Sequence, residues 1–373
     1  MIYLDSAATT LQKPPAVAAA VQRAIRTMAS PGRGGHRAAM LAADTVFRCR
    51  EMAAELFDVG SPERVVFTLN ATHALNLAIH SLVPPGASVV VSGYEHNAVT
   101  RPLKALNAEI QIADSGLFET DQFLKNLNKI LQVHRPSAVI CTHVSNVFGY
   151  ILPIDEVARI CREKKIPLIV DASQSAGTLP VRLGEWGAAF IAMPGHKGLY
   201  GPQGTGMLLC GEGQAEPLLY GGTGSMSLMQ DMPDFLPDRL EAGTHNVAGI
   251  AGLLEGLRYV KGRGEAQILN HEKRLIRQMT SGLANIPKVQ AFYCEENEAQ
   301  SGVLSFQIKG MDCEQAGELL GRRDIAVRAG LHCAPFAHRS AGTLESGTVR
   351  ASVSAFNTER EIAQFLWTVE KLA

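Results

Sequence analysis

The stretch FIAMPGHKGLYGPQGTGMLL contains the lysine whose surroundings best suit chemistry. An apolar run ends at Pro194, Gly195, His196 and Lys197, and a glycine-rich turn leads into a second apolar run. This order predicts that Lys197 lies at a tight bend between two buried strands, where glycines let the backbone approach a bound group closely. A lysine at such a bend is either a solvated surface cation or a nucleophilic amine.

The upstream run IPLIVDAS favours the nucleophile. It predicts a short buried strand that ends at Asp171, with Ser173 and Gln174 in the next turn. Ligands of open parallel sheets bind at that edge. A lysine in Schiff-base linkage and an acid beside the pyridine nitrogen are the two groups that pyridoxal phosphate (PLP) requires, because the protonated ring is the electron sink. Asp171 and Lys197 supply both groups.

The motifs VDASQSAG and GHKGLYGPQGTG resemble those of class V aminotransferases, which are fold-type I PLP enzymes, and in particular the group of cysteine desulfurases and selenocysteine lyases. The resemblance spans nearly the whole chain. It implies an α/β fold with a large, mostly parallel sheet flanked by helices and a smaller α/β domain. It also implies that Lys197 holds PLP, that Asp171 keeps the ring nitrogen protonated, and that Gln174 bonds to the ring hydroxyl.

A phosphate site is predicted where RVVFTLNATHALNLAIHSL changes from a strand to a helix at Thr72 and His73. Backbone N–H groups and the helix dipole favour an anion there, although Thr is also a common structural N-cap. In the resembled family this turn holds the PLP phosphate, which implies that role for Thr72 and the His73 amide. His196 joins them by resemblance, whereas Pro194 stands where the family commonly has a serine.

Two further polar residues follow predicted strands. SVVVSGYEH ends in His96, and the turn after AVICTH contains Asn146. A histidine there either caps the next helix or takes part in proton transfer, and an Asn commonly holds its own turn. The resemblance implies that His96 stacks on the pyridine ring and that Asn146 contacts the cofactor oxygen or the substrate carboxylate. His36 matches a substrate-facing histidine by position only, and the alternative is a surface histidine.

The phrase EAGTHN resembles EAGTPN of the family, in which the threonine reaches the phosphate bound by the partner subunit. This implies that Thr244 does the same and that the active site exists only in a homodimer. The alternative for Thr244 is a simple helix cap.

A second reactive residue is predicted in RAGLHCAPFAHRS, where Cys333 follows a basic, glycine-containing turn. A cysteine is either an inert apolar filler or a nucleophile, and we expect Arg328 and His332 to lower the pKa of the thiol from its usual value of about 8.5. RAGLHCA resembles RxGHHCA, the catalytic-cysteine motif of the second group of cysteine desulfurases, with Leu331 in place of the first histidine. The resemblance implies that Cys333 accepts sulfur from the substrate.

Arg350, in TVRASVSAFNT, matches the family arginine that binds the substrate carboxylate. A planar guanidinium binds a carboxylate through two parallel hydrogen bonds, which explains the residue type. The alternative is a structural salt bridge to a neighbouring acid.

Length and composition limit the remaining possibilities. A chain of 373 residues exceeds a typical single domain, so we expect a large PLP-binding domain at 14–262 and a small domain formed by 1–13 together with 263–373. A net charge of −1 and a pI near 6.8 give no electrostatic reason to expect a nucleic acid or an anionic membrane as partner. Seven cysteines without a CxxC pair argue against a disulfide framework or a metal site.

The opening MIYLDSAATT lacks the features of a secretory signal, and no apolar run is long enough to span a bilayer. We therefore expect a cytoplasmic protein. The sequence predicts a homodimeric cysteine desulfurase that converts L-cysteine to L-alanine and leaves a persulfide on Cys333. A small thiol, an iron–sulfur assembly scaffold or a sulfur shuttle would take the sulfur. The alternatives are a lyase acting on L-selenocysteine, another PLP enzyme such as an aminotransferase, and a catalytically silent scaffold.

Overall fold

The computed structural model describes residues 1–32, 34–213, 215–296 and 298–373. Within these ranges the chain forms thirteen strands. They are β1 (Ile2–Tyr3), β2 (Val65–Thr68), β3 (Ser88–Ser92), β4 (Glu109–Ala113), β5 (Val139–Thr142), β6 (Leu168–Asp171), β7 (Phe190–Pro194), β8 (Gly206–Cys210), β9 (Val289–Phe292), β10 (Val303–Ile308), β11 (Ile325–Ala326), β12 (Arg328–Gly330) and β13 (Thr348–Ser352).

The same ranges contain twelve α-helices, none of which is both long and apolar enough to cross a bilayer. They are α1 (Pro15–Thr27), α2 (Arg37–Leu56), α3 (Ala71–Leu82), α4 (Asn97–Ala105), α5 (Thr120–Val133), α6 (Ile154–Lys164), α7 (Leu183–Trp186), α8 (Val247–Arg263), α9 (Glu265–Ala284), α10 (Cys313–Gly321), α11 (Pro335–Ser340) and α12 (Glu359–Leu372).

The large sheet has seven strands in the order β2-β8-β7-β6-β5-β3-β4. Neighbouring strands are parallel except at β8, which is antiparallel to both β2 and β7. The predicted large, mostly parallel sheet is therefore confirmed. Because β3, β5, β6 and β7 run in the same direction, the residues that follow them meet at one edge.

Helices cover both faces of this sheet. Alternate residues of β6 enter two apolar clusters: Val170 packs on the side of α2, α5 and α6, and Ile169 packs on the side of α3 and α4. The side chains of β5, β6, β7 and β8 are all buried. Burial on both faces explains why these strands appear in the sequence as continuous apolar runs rather than as alternating patterns.

A second sheet contains four antiparallel strands in the order β12-β13-β10-β9. Its core joins Leu275 of α9, Phe306 of β10 and Phe365 of α12. Strand β1 pairs in parallel with β11, so the first residues of the chain pack with its C-terminal part. Gly264, with a φ of 84°, separates α8 from α9 close to the predicted boundary. The domain limits themselves stay a prediction.

A buried ion pair fixes α2 to the large sheet. The guanidinium of Arg50 donates to both carboxylate oxygens of Glu241, with Nη1–Oε1 at 2.8 Å and Nη2–Oε2 at 2.5 Å. Glu241 also accepts from the backbone N–H of Phe67 at 2.6 Å, and His245 Nε2 lies 3.1 Å away. One carboxylate thus joins α2, β2 and the segment that precedes α8.

Glu241→Ala should lower the free energy of unfolding by about 3–5 kcal/mol, because it leaves the Arg50 charge buried without its partner. The matched control is Glu163→Ala, which removes an exposed partner of Arg159 within one helix and should change stability by less than about 0.5 kcal/mol. Urea denaturation measures both values. Equal losses in the two variants would contradict the role of the buried pair.

Candidate active site

A cavity of about 230 Å³ opens at the carboxyl edge of the large sheet. The loops after β3, β5, β6 and β7 line it together with the start of α3. Seven of the predicted site residues lie on its wall: Thr72, His96, Asn146, Asp171, Gln174, His196 and Lys197. Residues far apart in the chain are thus brought together in one cleft.

Lys197 lies in the connection between β7 and β8, which form an antiparallel pair in which Pro194 faces Gly206. The predicted bend between two buried strands is confirmed. The side chain keeps part of its surface on the cleft while protein surrounds the rest. Burial, opposed by the charge of Asp171, lowers the pKa of Lys197 to about 8. About one tenth of the amine is therefore uncharged and nucleophilic at pH 7, far more than for a solvated lysine.

Asp171 is the last residue of β6, as predicted, and its side chain is buried. Its Oδ1 accepts from the Ser173 N–H at 2.9 Å, which fixes the carboxylate at the cleft. Behind it lies a second acid, Glu95, held by the Ser92 hydroxyl at 2.5 Å and the Thr142 N–H at 2.8 Å. Burial raises the pKa of Glu95 to about 8, so it is mostly neutral at pH 7. Asp171 is thus the carboxyl on the cleft wall and Glu95 is the one beneath it.

His96 is both a helix cap and a wall of the cleft. Its Nδ1 accepts from the Ala98 N–H at 3.0 Å at the start of α4, which leaves the ring proton of the neutral imidazole on Nε2. Burial is the main reason that the pKa of His96 is lowered. The ring is therefore a neutral N–H donor at physiological pH.

The start of α3 differs from the prediction in one detail. Asn70, which the sequence interpretation overlooked, caps the helix by accepting from the His73 N–H at 2.9 Å. The amide that we assigned to a phosphate is thus already engaged. Among the described residues, the N–H groups of Ala71 and Thr72 lack partners and lie at the cleft. Asn directly before an apolar helix is a recognisable capping signal.

The N-terminal segment closes one side of the site. His196 Nδ1 lies 3.0 Å from the Thr9 hydroxyl, and Gln174 donates from Nε2 to the Ala7 carbonyl at 2.9 Å. Burial first, and then the nearby charges of Lys197 and Lys13, lower the pKa of His196 to about 4. His196 is therefore a neutral hydrogen-bonding group. No local sequence pattern predicts these contacts, because each joins segments that are far apart in the chain.

Cys333 lies on a turn and is exposed. Both His332 and Cys333 have left-handed backbone, with φ of 49° and 56°. Two bonds hold the turn: the Asn97 N–H donates to the Cys333 carbonyl at 2.7 Å, and Asn146 Nδ2 donates to the His332 carbonyl at 2.8 Å. The backbone of the turn that carries the thiol is thus hydrogen-bonded to the residue next to His96 and to a residue of the cleft wall.

The histidine beside Cys333 corrects one expectation. His332 is buried, and its Nε2 lies 3.1 Å from the Thr348 carbonyl of β13. Burial and then the charge of Arg350 lower the pKa of His332 to about 2. The imidazole is therefore neutral and contributes no positive charge to the thiol. The burial of His332 could not be deduced from its proximity to Cys333 in the sequence.

Arg350 lies on β13, buried behind the cleft rather than on its lining. Its Nη1 donates to the Asn146 carbonyl at 2.9 Å, and its Nη2 donates to Asp5 Oδ1 at 2.9 Å. Burial lowers its pKa, and the Asp5 carboxylate opposes that effect. The alternative interpretation, an ion pair with a neighbouring acid, is thus present in the structure at the wall of the cleft.

Besides Cys333 and Arg350, three predicted residues do not line this cavity: His36, His73 and Thr244. His36 is exposed at the start of α2, where its Nδ1 lies 3.4 Å from the Ala39 N–H. Thr244 is exposed and lines a separate cavity that it shares with His73. Their roles toward cofactor and substrate stay predictions.

The family profile described as Aminotransferase class-V matches residues 2–365, so the chain belongs to this family. Enzymes of this family depend on PLP.

Individual relatives agree with this assignment. A protein of Methanothermobacter thermautotrophicus named probable cysteine desulfurase is 32% identical, and the alignment covers 100% of this chain and 94% of that protein. The apo structure of a cysteine desulfurase from Thermococcus onnurineus superposes with a TM-score of 0.91 at 31% identity, covering 100% and 94% of the two chains. An Escherichia coli cysteine desulfurase gives 0.84 at 26% identity, covering 99% and 94%.

The cleft fits PLP on the chemistry of its own groups. Two partnerless N–H groups at the start of α3, with the Thr72 hydroxyl, suit a phosphate. The Asp171 carboxylate suits a protonated pyridine nitrogen, and the Lys197 amine, with its pKa lowered to about 8, suits covalent attachment. Pro194 on the wall contributes no N–H donor.

The lowered pKa of Lys197 predicts a pH-dependent stability difference in the cofactor-free protein. The folded protein binds this proton more weakly than the unfolded chain, so wild-type stability rises with pH from about 8 to 10.5. Lys197→Met removes this dependence and should be more stable by about 1–3 kcal/mol at pH 7. Its advantage should shrink toward pH 10. Urea titrations across this range test this, with exposed Lys104→Met as a control whose difference stays constant.

Proposed function

We propose that this protein is a PLP-dependent cysteine desulfurase that converts L-cysteine to L-alanine and collects the sulfur on Cys333. The observation that carries the proposal is the pairing of two reactive groups. A nucleophilic amine lies inside the cleft, and the turn that carries the exposed Cys333 is hydrogen-bonded through its backbone to Asn146 on the cleft wall and to Asn97 beside His96. Two of the similar solved structures are those of cysteine desulfurases.

The cofactor would be held by groups already described. Thr72 and the partnerless N–H groups at the start of α3 would bind its phosphate, and His196 would contribute a neutral hydrogen bond. Asp171 would face the ring nitrogen, Gln174 the ring hydroxyl, and Lys197 would be the attachment point. When bound, PLP supplies an electron sink that stabilises negative charge at the substrate Cα.

We assign proton transfer to Lys197 and His96. The Lys197 amine, with its pKa near 8, accepts the substrate α proton near neutral pH, since catalytic bases work best when their pKa is close to the working pH. His96 holds its ring proton on Nε2 because Nδ1 is engaged with Ala98. It therefore offers a neutral N–H donor at the cleft.

Sulfur transfer falls to Cys333. Its thiolate attacks the substrate sulfur, an S–S bond forms, and the Cβ–S bond breaks with its electron pair left on carbon. The carbon fragment then gains a proton and leaves as L-alanine. Cys333 is left as a persulfide, whose outer sulfur passes to an acceptor thiol. Exposure of this turn suits transfer to an external acceptor.

We assign binding of the substrate carboxylate to Arg350 and Asn146. Arg350 donates a hydrogen bond to the Asn146 carbonyl at the wall of the cleft. A guanidinium offers a planar pair of donors to a carboxylate. The Asn146 side chain also holds the turn that carries Cys333. Carboxylate binding and thiol position are thus linked through a single residue.

A homodimer is supported by the surface around Thr244. Thr244 is exposed, and the cavity that it lines includes Leu69 and Leu219, which are 60% and 54% exposed. Tyr220, next in the chain, is 76% exposed. Apolar groups exposed together mark protein interfaces. In this proposal each Thr244 completes the phosphate site of the other subunit.

Cys333→Ser should reduce L-alanine formation from L-cysteine by about 100-fold or more, because a hydroxyl cannot accept the sulfur. Cys294→Ser, at the other partly exposed cysteine, should leave the rate unchanged. Alanine and sulfide are measured with a reductant as acceptor. Full activity in Cys333→Ser would contradict the proposal. Selenide release from L-selenocysteine by that variant, together with poor use of L-cysteine by the wild type, would instead favour a selenocysteine lyase.

The position of Thr244 across the interface predicts complementation between two weak variants. A heterodimer of Lys197→Ala and Thr244→Ala subunits contains one site with both native groups, so it should regain about half of the wild-type activity. Two different affinity tags allow its purification, and each homodimeric variant serves as control. If Thr244 acts on the site of its own subunit, or if the protein is monomeric, no activity returns.

A further inference from the structure

Arg350 shares its acid with a second arginine. Asp5 Oδ1 accepts from Arg350 Nη2 at 2.9 Å, and Asp5 Oδ2 accepts from Arg328 Nε at 3.2 Å and from Arg328 Nη2 at 3.1 Å. One carboxylate therefore bridges two guanidinium groups, one through each oxygen.

Strand register places the three residues together. Arg328 of β12 and Arg350 of β13 are directly opposed partners in the antiparallel pair, so their side chains share a face of the sheet. Asp5, just after β1, forms a bridge with Ser352 that brings its carboxylate to the same face. The side chain of Arg350 is 3% exposed, that of Asp5 13% and that of Arg328 53%. Solvent thus reaches the triad from the side of Arg328.

The triad carries one uncompensated positive charge. Two guanidinium groups face one carboxylate, and His332, whose pKa lies far below neutrality, adds no charge. Arg350 Nε is buried and has no partner among the described residues. The buried Arg350 guanidinium has a free N–H donor and shares its counter-ion, Asp5, with Arg328. It is therefore suited to bind one further anion.

We propose that Arg328 is a positioning residue that sets the affinity of Arg350 for the substrate carboxylate. Arg328 binds Oδ2 of Asp5, so Asp5 can bind Arg350 through only one of its two carboxylate oxygens. The proposal rests on the proposed function, in which Arg350 binds that carboxylate. Without Arg328, both Asp5 oxygens are free to pair with Arg350, and the cluster becomes neutral. The substrate carboxylate then competes with a bound acid for the same guanidinium.

The test compares the holoenzyme with three variants that change the charge of the cluster stepwise. Wild type carries one net positive charge, Arg328→Gln carries none, Asp5→Asn carries two, and the double variant carries one again. Isothermal titration calorimetry measures the dissociation constants of L-alanine and of L-alaninamide, which lacks the carboxylate. The ratio of their dissociation constants isolates the carboxylate contribution.

Arg328→Gln should weaken L-alanine binding about tenfold and leave L-alaninamide within about twofold. Adding Asp5→Asn should restore at least half of that loss on a logarithmic scale, a rescue that a merely structural role of Arg328 does not predict. The control is Arg322→Gln, an exposed arginine that follows α10, pairs with Glu318 of that helix and should not change the ratio. If Asp5→Asn fails to fold, the ratio of the two dissociation constants in Arg328→Gln alone still tests the proposal.

An unchanged ratio in Arg328→Gln overturns the inference. Arg350→Gln separates this failure from a failure of the proposed function. If Arg350→Gln abolishes the preference for L-alanine while Arg328→Gln does not alter it, Arg350 binds the carboxylate and the role of Arg328 is refuted. If Arg350→Gln leaves the preference intact, the carboxylate assignment in the proposed function is itself wrong.

Discussion

The site depends on one constraint: a primary amine must be withdrawn from water and still be reachable from a cleft. The sheet meets this constraint by placing Lys197 just beyond β7, at the edge where the other parallel strands also end. Protein around the side chain lowers its pKa to about 8, and Asp171 one strand away limits that shift. Close packing where β8 begins supports the arrangement, since a Cβ on Gly206 would lie 2.7 Å from the Asn70 carbonyl carbon.

Neutral polar groups surround the Lys197 amine, so this amine is the group that can change its protonation state near neutral pH. His96 and His196 are both held uncharged by burial, and Glu95 keeps its proton at pH 7 for the same reason. Hydrogen bonds fix Glu95 to the ends of β3 and β5, His96 to the start of α4, and His196 to the N-terminal segment. The cleft is thus preorganised with few compensating charges inside it, so a charged ligand meets fixed dipoles rather than competing ions.

Local sequence patterns predicted the features that arise from local structure. The strands before Asp171 and Lys197 were recognisable because they are buried on both faces and therefore continuously apolar. The contacts of Asp5 and Thr9 were not recognisable, because they depend on how β1 packs against β11 and how that unit meets the large sheet. The expectation for His332 was wrong because its side chain is buried against β13, and this burial keeps the imidazole neutral.

The bond between Asp5 and Arg350 joins residues separated by 345 positions. A growing polypeptide that emerges from the ribosome therefore has the strands of the large sheet available long before the second arginine of this cluster exists. During that interval Asp5 and the Arg350 strand cannot dock, although Gln174 and His196, the partners of Ala7 and Thr9, have already been synthesised. The carboxylate-binding part of the site is consequently completed last, after the amine and its surrounding sheet have been synthesised.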